Sequence, residues 1–306
     1  MTETSAARAG YIALAILTVV WGTNWIIMKL ALRAADPMAF NVQRTWLAAL
    51  VLVGVLLARR GRLLPASWMA IAVTGFFQTT VNFGATTMAL SGGGAGRTSV
   101  LVFTMPFWTL LMAWPILGER VRGSEWAAVL LAFTGLVLVV EPWRWEGDLA
   151  PKLWGVLSGF GWAGGTVATK YYQRRFPSDP LNFVAWQMVV GVLPLTALLL
   201  VADVPPTHWS AGQLVMTFYV GAVSTALGFV MWLAVLERLP AGTASLNTFA
   251  VPVIALLASM AIFGERLSPN EWLGIGAIGA GLVILTIRAL RARTDALQAP
   301  LPLEGG

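Results

Sequence analysis

Cysteine is absent from the 306 residues, and histidine occurs once, at His208. Disulfides and thiolate metal ligands are therefore excluded. Serine nucleophiles lack a histidine base, and no His, Cys or carboxylate cluster of metal-binding spacing is present, so the sequence predicts no enzyme, no metal site and no cofactor. Charge is scarce as well: 11% of residues are charged against 58% hydrophobic, with a mean hydropathy of +0.75. A soluble domain does not reach such values. The phosphate-cradle ending Lys-Ser/Thr is also missing, since Gly92-Gly93-Gly94 is followed by Ala95-Gly96-Arg97, which leaves no nucleotide loop.

What fills the chain instead is apolar runs of about the 20 residues needed to cross roughly 30 Å of hydrocarbon. Ten are placed at 10–33, 37–58, 66–91, 94–117, 122–141, 152–172, 179–201, 211–236, 241–263 and 270–290. Lipid offers exposed amides no partner, and runs of this length without strict alternation predict helices, so the class is all-α and integral to a membrane. The first run is too long for an excised leader and reads as a retained signal anchor. The net charge of +6 does not point to nucleic acid, because the basic residues are sorted by loop. Arg8, Arg59, Arg60, Arg62, Arg120, Arg122, Arg174, Arg175, Arg238, Arg288, Arg291 and Arg293 fall on the side of both termini, against Arg33, Arg144, Lys152 and Arg266 opposite. By the positive-inside rule both termini are cytoplasmic.

The chain is also doubled. Residues 94–140 align with 240–286 without a gap, at a constant shift of 146, giving 16 identities in 47 positions that include Pro106 and Pro252, Gly118-Glu119-Arg120 and Gly264-Glu265-Arg266, and Glu125-Trp126 and Glu271-Trp272. Trp21 and Lys29 recur as Trp162 and Lys170. Five runs per copy is odd, so the copies are expected to cross the membrane in opposite senses. The predicted divisions are a first repeat at 1–145, a second, inverted repeat at 146–292 and a disordered cytoplasmic tail at 293–306. Inverted repeats of this kind meet at a shared site near the bilayer midplane.

These residues resemble the drug/metabolite transporter superfamily, specifically the ten-helix EamA-type exporters: two five-helix halves, a Trp-Gly at Trp21-Gly22 with Lys29 downstream, and the Pro and Gly-Glu-Arg pattern of the fourth and fifth helices. Within it the chain looks closest to YddG-like exporters of aromatic and other neutral amino acids. The resemblance implies a central cavity formed by helices 1, 3, 4, 6, 8 and 9, with 5 and 10 as outer braces. It implies export of a small molecule, an amino acid or, alternatively, a drug, nucleobase or sugar derivative. Trp162-Ala163 stands where the first copy has Trp21-Gly22, so the two cavity faces have diverged.

Candidate site residues are the uncharged polar groups at depth. Gln78 and Asn82 share one helical face; they either bind a substrate's polar head or hydrogen-bond between helices. Asn24 and Asn247 rank next, then Thr98, Ser99, Ser224 and Ser245, whose hydroxyls more often satisfy backbone carbonyls. Among the fifteen Trp, those near run ends suit the interfacial belt, whereas Trp21, Trp108 and Trp162 lie deeper. Trp162 is the first choice for stacking on an apolar side chain. Pro106 and Pro252, near the centres of runs 4 and 9, each remove a backbone hydrogen bond and predict a kink, either static or a paired hinge. The Gly-Glu-Arg turns read as helix caps. Lys29 and Lys170 sit near run ends, where snorkelling or binding terminal carbonyls accounts for them. The same reading makes Arg44 and Arg97 snorkellers or attractors of carboxylates at the outer mouth, and leaves the chamber itself uncharged.

No Asp or Glu occupies the central third of any run. A proton relay needs an ionisable group at depth, so facilitated diffusion or exchange is expected. A channel would show charged rings or a carbonyl filter, which are lacking. The expected partners are a small-molecule substrate and the lipid bilayer, with the protein acting as a monomer.

Overall fold

A computed structural model describes residues 3–59, 63–119, 123–141, 143, 149–232 and 241–298. All regular structure among them is helical. The helices are named here α1 (Glu3–Ala31), α2 (Pro37–Ala58), α3 (68–92), α4 (Ala95–Leu117), α5 (Ser124–Val140), α6 (Leu149–Gln173), α7 (Pro180–Val201), α8 (Ala211–Trp232), α9 (Ala241–Phe263) and α10 (Pro269–Gln298). Among the described residues five helices qualify as membrane spans by length and apolarity, Ile12–Ala31 of α1 and the whole of α2, α4, α7 and α8, while Ser124–Val140 and Val251–Phe263 are shorter apolar helices. The last helix continues to Gln298, past the 292 at which the sequence reading ended the second repeat.

Local signals set the ends. Asp36 accepts from the amides of Met38 and Ala39 with Pro37 in the first turn, and Asp179 accepts from Asn182 with Pro180 in the same place. Ser67 and Ser210 cap α3 and α8. Ser268 and Glu271 form a reciprocal pair, each side chain accepting the other's backbone N–H, at the start of α10. Gly118 and Gly264 lie in the left-handed region, at φ 71° and 64°, which ends α4 and α9 as a glycine cap does.

Three helices are irregular. Phe76–Val81 of α3 and Tyr219–Leu227 of α8 are π-helical turns, a distortion frequent at functional sites. In α4 the regular helix stops at Val102 and resumes at Met105. Pro106 cannot donate and its ring crowds the carbonyl of Val102, which places the break there. Helix α9 runs unbroken through Pro252, so the two repeat-related prolines have different local consequences.

The packing exchanges one copy with the other. α1 lies on α9 as α6 lies on α4, α2 on α8 as α7 on α3, and α1 on α8 as α6 on α3; α5–α10, α2–α7 and α4–α9 pair across the halves. Between α5 and α10, Gly135 meets Gly274 and Gly281 meets Ala128, so these two helices are antiparallel. A shift of 146 turns the first contact into the second. Without a hydrophobic force between helices in lipid, such glycine contacts let backbones approach closely enough for dispersion to hold them.

Candidate functional site

A cavity of about 660 Å³ lies between α1, α2, α3, α4, α6, α7, α8 and α9, a size suited to a small organic ligand. Its wall is mostly aromatic and aliphatic, with Trp21, Trp25, Phe83, Phe103, Trp162, Phe183, Phe229 and Trp232 contributing. Trp162 stacks on Phe229 with ring centres 6.3 Å apart, and Trp21 tilts against Trp232 at 5.8 Å. The Trp21 indole is fixed by donating to the Ser224 carbonyl at 3.0 Å. Three glycines of α6 make room for the π-turn of α3: a Cβ on Gly161, Gly164 or Gly165 would fall within 3.0 Å of Asn82, Phe77 or Gln78.

Asn24, Gln78, Asn82, Trp162 and Ser224 all line this cavity. Gln78 accepts from the Gln187 amide of α7 at 3.1 Å, and Asn82 donates to the Ser158 carbonyl and hydroxyl of α6 at 2.9 and 2.8 Å. Both amides are thus tied between helices while bordering the space. The Asn24 amide donates to Met28 Sδ, and its buried carbonyl oxygen has no partner among the described residues. Thr98 and Ser99 do not line the cavity; Thr98 borders a separate recess beside Gly93 and Arg97, and Ser99 donates to the Gly96 carbonyl. The side chains of Ser245 and Asn247 lie outside the described residues. Trp108 packs on Phe133 and Phe160, away from the chamber.

Arg44 departs from the sequence reading. It does not snorkel: it is 3% exposed, lines the cavity, and makes no hydrogen bond or ion pair with a described residue. Its one directed contact is the face of Phe83, 4.3 Å from ring centre to guanidinium. The chamber is therefore not uncharged, and a lone cation at such depth carries an insertion cost of about 2.5–3.5 kcal/mol. The signal that places it is the pair of Asp-Pro caps. Counted from Asp36 and Asp179, Arg44 corresponds to Gln187, and counted from Ser67 and Ser210, Gln78 corresponds to Gly221. Gln187 has Gln78 as partner; Arg44 faces the copy where that partner became a glycine, whose Cβ would lie 2.6 Å from the Arg44 carbonyl.

The two ends of the bundle differ. At one end Lys29 donates to the carbonyls of Leu90, Ser91 and Gly93 that finish α3. Glu265 accepts from the amides of Gly96 and Arg97, at 3.1 and 3.0 Å, in the first turn of α4, where a carboxylate suits the helix dipole. Arg97, read as a snorkeller or an attractor of carboxylates, forms an ion pair with the buried Glu271. At the other end the cavity reaches Lys170 and Gln173. There Lys170 and Arg174 both pair with Glu119, the repeat counterpart of Glu265, and all three side chains are 38–54% exposed. The hydrogen bond from Lys170 is the main cause holding the Glu119 carboxyl below its ordinary value. Among the described residues no Asp or Glu lines the cavity and no group of three metal ligands assembles.

The model of the EamA-like transporter family matches twice, over residues 8–141 and 150–287. The uncharacterized transporter YvbV of Bacillus subtilis is 27% identical over 290 residues, covering 93% of either chain. The uncharacterized inner membrane transporter YedA of Escherichia coli K12 is 23% identical, covering 90% of each. A probable amino-acid metabolite efflux pump of Salmonella typhimurium is 25% identical over 90% of this chain and 94% of its own. One solved crystal structure superposes with a TM-score of 0.63 at 19% identity, over 94% of this chain and 99% of the other, a likeness of fold.

Proposed function

The chain belongs to the EamA-like transporter family, and from that membership we propose that it exports aromatic and other neutral amino acids by alternating access between two inverted five-helix halves. It is a multi-pass transporter of the cytoplasmic membrane, not an enzyme. The observation that carries the substrate reading is the 660 Å³ cavity, whose stacked Trp162 and Phe229 offer a planar apolar surface beside the polar edge of Asn24, Gln78 and Asn82. The Salmonella relative's description as a probable amino-acid metabolite efflux pump points the same way.

The inverted arrangement of ten spans is supported by the antiparallel α5 and α10, whose glycine contacts interchange under the repeat, and by the matching pairs α1–α9 and α6–α4, α2–α8 and α7–α3, and α1–α8 and α6–α3. The divisions 1–145 and 146–292 follow from it. The cavity reaches the end that carries Glu119, Lys170 and Arg174, the arginine-rich side, which supports an inward-facing reading with both termini cytoplasmic. The break at Pro106 and the cap at Glu265 are the local elements through which one end opens, and Pro252 and Glu119 are their counterparts for the other. With no carboxylate in the central third of any span, transport proceeds by facilitated diffusion or exchange.

Proteoliposomes of purified protein, loaded with radiolabelled phenylalanine, tryptophan, leucine, serine and uracil, test this directly. Saturable efflux of the aromatic and branched species ahead of serine and uracil is expected. Preference for uracil would instead assign the export of nucleobases, and non-saturating flux would indicate a pore.

A further inference from the structure

We propose that Arg44 is the carboxylate anchor of the transported molecule, and that the cavity takes carboxylate-bearing substrates with an apolar body. This rests on the reading of the cavity as the transport site and adds a chemical class to it. The guanidinium is almost wholly buried, lines the cavity, and has neither a carboxylate nor a hydrogen-bond acceptor among the described residues. A fixed fork of five N–H donors left without acceptors at this depth stands ready for an anion that arrives with the ligand, and carboxylate is the anion its geometry matches in two parallel bonds.

The repeat makes the unpaired cation specific to one copy. At the matching place in the second copy an amide, Gln187, is satisfied by Gln78. In the first copy a cation takes the place of that amide, and facing it in the second copy a glycine, Gly221, takes the place of its partner. A structural arginine would have kept a protein partner. Phe83 beneath the guanidinium holds its plane without consuming donors. The Asn24 carbonyl oxygen also borders the cavity, buried and without a partner among the described residues, an acceptor suited to an ammonium. The cavity thus offers both a donor fork and a free acceptor, the two kinds of group a zwitterion needs, in a wall that is otherwise mostly apolar. An amine lacking a carboxylate would meet Arg44 as a like charge.

Binding separates this proposal from the export reading. Radiolabelled phenylalanine, 3-phenylpropionate and phenethylamine are titrated against the purified wild type, Arg44→Met and Arg44→Lys. The wild type is expected to bind the first two and to bind the amine at least about 10-fold more weakly. Loss of a charged hydrogen-bonded pair predicts that Arg44→Met weakens both carboxylates by about 10- to 100-fold, with the amine unchanged or improved and Arg44→Lys in between. Arg44→Met should fold, because it removes an unpaired buried charge; a melting curve checks this, and Arg44→Lys supplies the comparison if it does not. Unchanged carboxylate binding in a folded variant overturns the proposal, as does equal loss of acid and amine, or a wild type that binds neither carboxylate. Carboxylate binding that depends on Arg44, without amino-acid efflux in liposomes, would sustain the anchor and refute the amino-acid export reading.

Discussion

Substituting alanine for Gly135 or Gly274 places a methyl where α5 and α10 touch through their backbones. A Cβ on Gly135 would stand 2.4 Å from the Gly274 carbonyl oxygen and one on Gly274 2.6 Å from that of Gly135, whereas ordinary contact begins near 3.4 Å. Neither obstacle is a flexible side-chain tip, so the helices must part by up to about 1 Å, and overpacking of this kind costs about 1–3 kcal/mol. For a chain of this size that corresponds to a fall of roughly 2–5 °C in melting temperature. Gly276 and Gly279 lie on the same helix with nothing within 4 Å of their added Cβ. Alanine there should leave the melting temperature unchanged or raise it, since glycine costs up to about 1 kcal/mol in a helix interior. Because the two α5–α10 substitutions strain one contact, the double variant should lose less than the sum of the singles. Neither glycine lines the cavity, so efflux per folded molecule well below the transition should be preserved. Tryptophan-fluorescence melting of the wild type and the five variants provides the assay. An equal fall for Gly276→Ala and Gly274→Ala, or no fall for Gly135→Ala, would refute the packing argument.

Trp162→Ala removes the ring stacked on Phe229 and should lower the preference for phenylalanine over alanine by about 5- to 10-fold in competition efflux. Unaltered selectivity would contradict the stacking role. Glu265→Gln removes the charge at the first turn of α4, worth about 1 kcal/mol, and should raise thiol labelling of a Gly93→Cys reporter by roughly five-fold; unchanged labelling would mean that this end is held by Lys29 and Arg97 alone. For Glu119 the folded-state carboxyl lies below its ordinary 4.5 because Lys170 and Arg174 stabilise the anion. The pair's contribution is complete above 4.5 and is lost only as pH falls through the depressed value. Wild-type melting should therefore match that of Glu119→Gln in pH dependence from 8 to 5 and diverge only below; divergence between pH 6 and 5 would contradict the assignment.

Membrane location and doubling were legible because both are written in patterns longer than any one residue: apolar runs, arginine-rich loops, and Pro, Glu, Arg and Trp recurring at fixed spacing. Gln78, Asn82 and Asn24 were found as polar groups within apolar runs, and the cavity adjoins all three. Arg44 was misread because depth along a span does not say which way a side chain faces; near a span end, snorkelling outward and reaching inward look alike in sequence. The Asp-Pro caps would have fixed its register. Thr98 and Ser99 shared the polarity of the others but fall where α4 turns toward Gly93 and Arg97, and the partners that place them are distant in sequence. The unequal effects of Pro106 and Pro252 depend on the helices packed against them, which a local rule about proline does not contain.

The account rests on two halves of opposite orientation enclosing one transport cavity, and the absence of native cysteine makes that orientation measurable without background. Single cysteines at the repeat-related positions Ser124 and Asn270 are labelled with a membrane-impermeant maleimide in intact cells and in inside-out vesicles. Labelling of Asn270→Cys in cells and of Ser124→Cys only in the vesicles is the predicted result. Labelling of both positions from the same side of the membrane would contradict it.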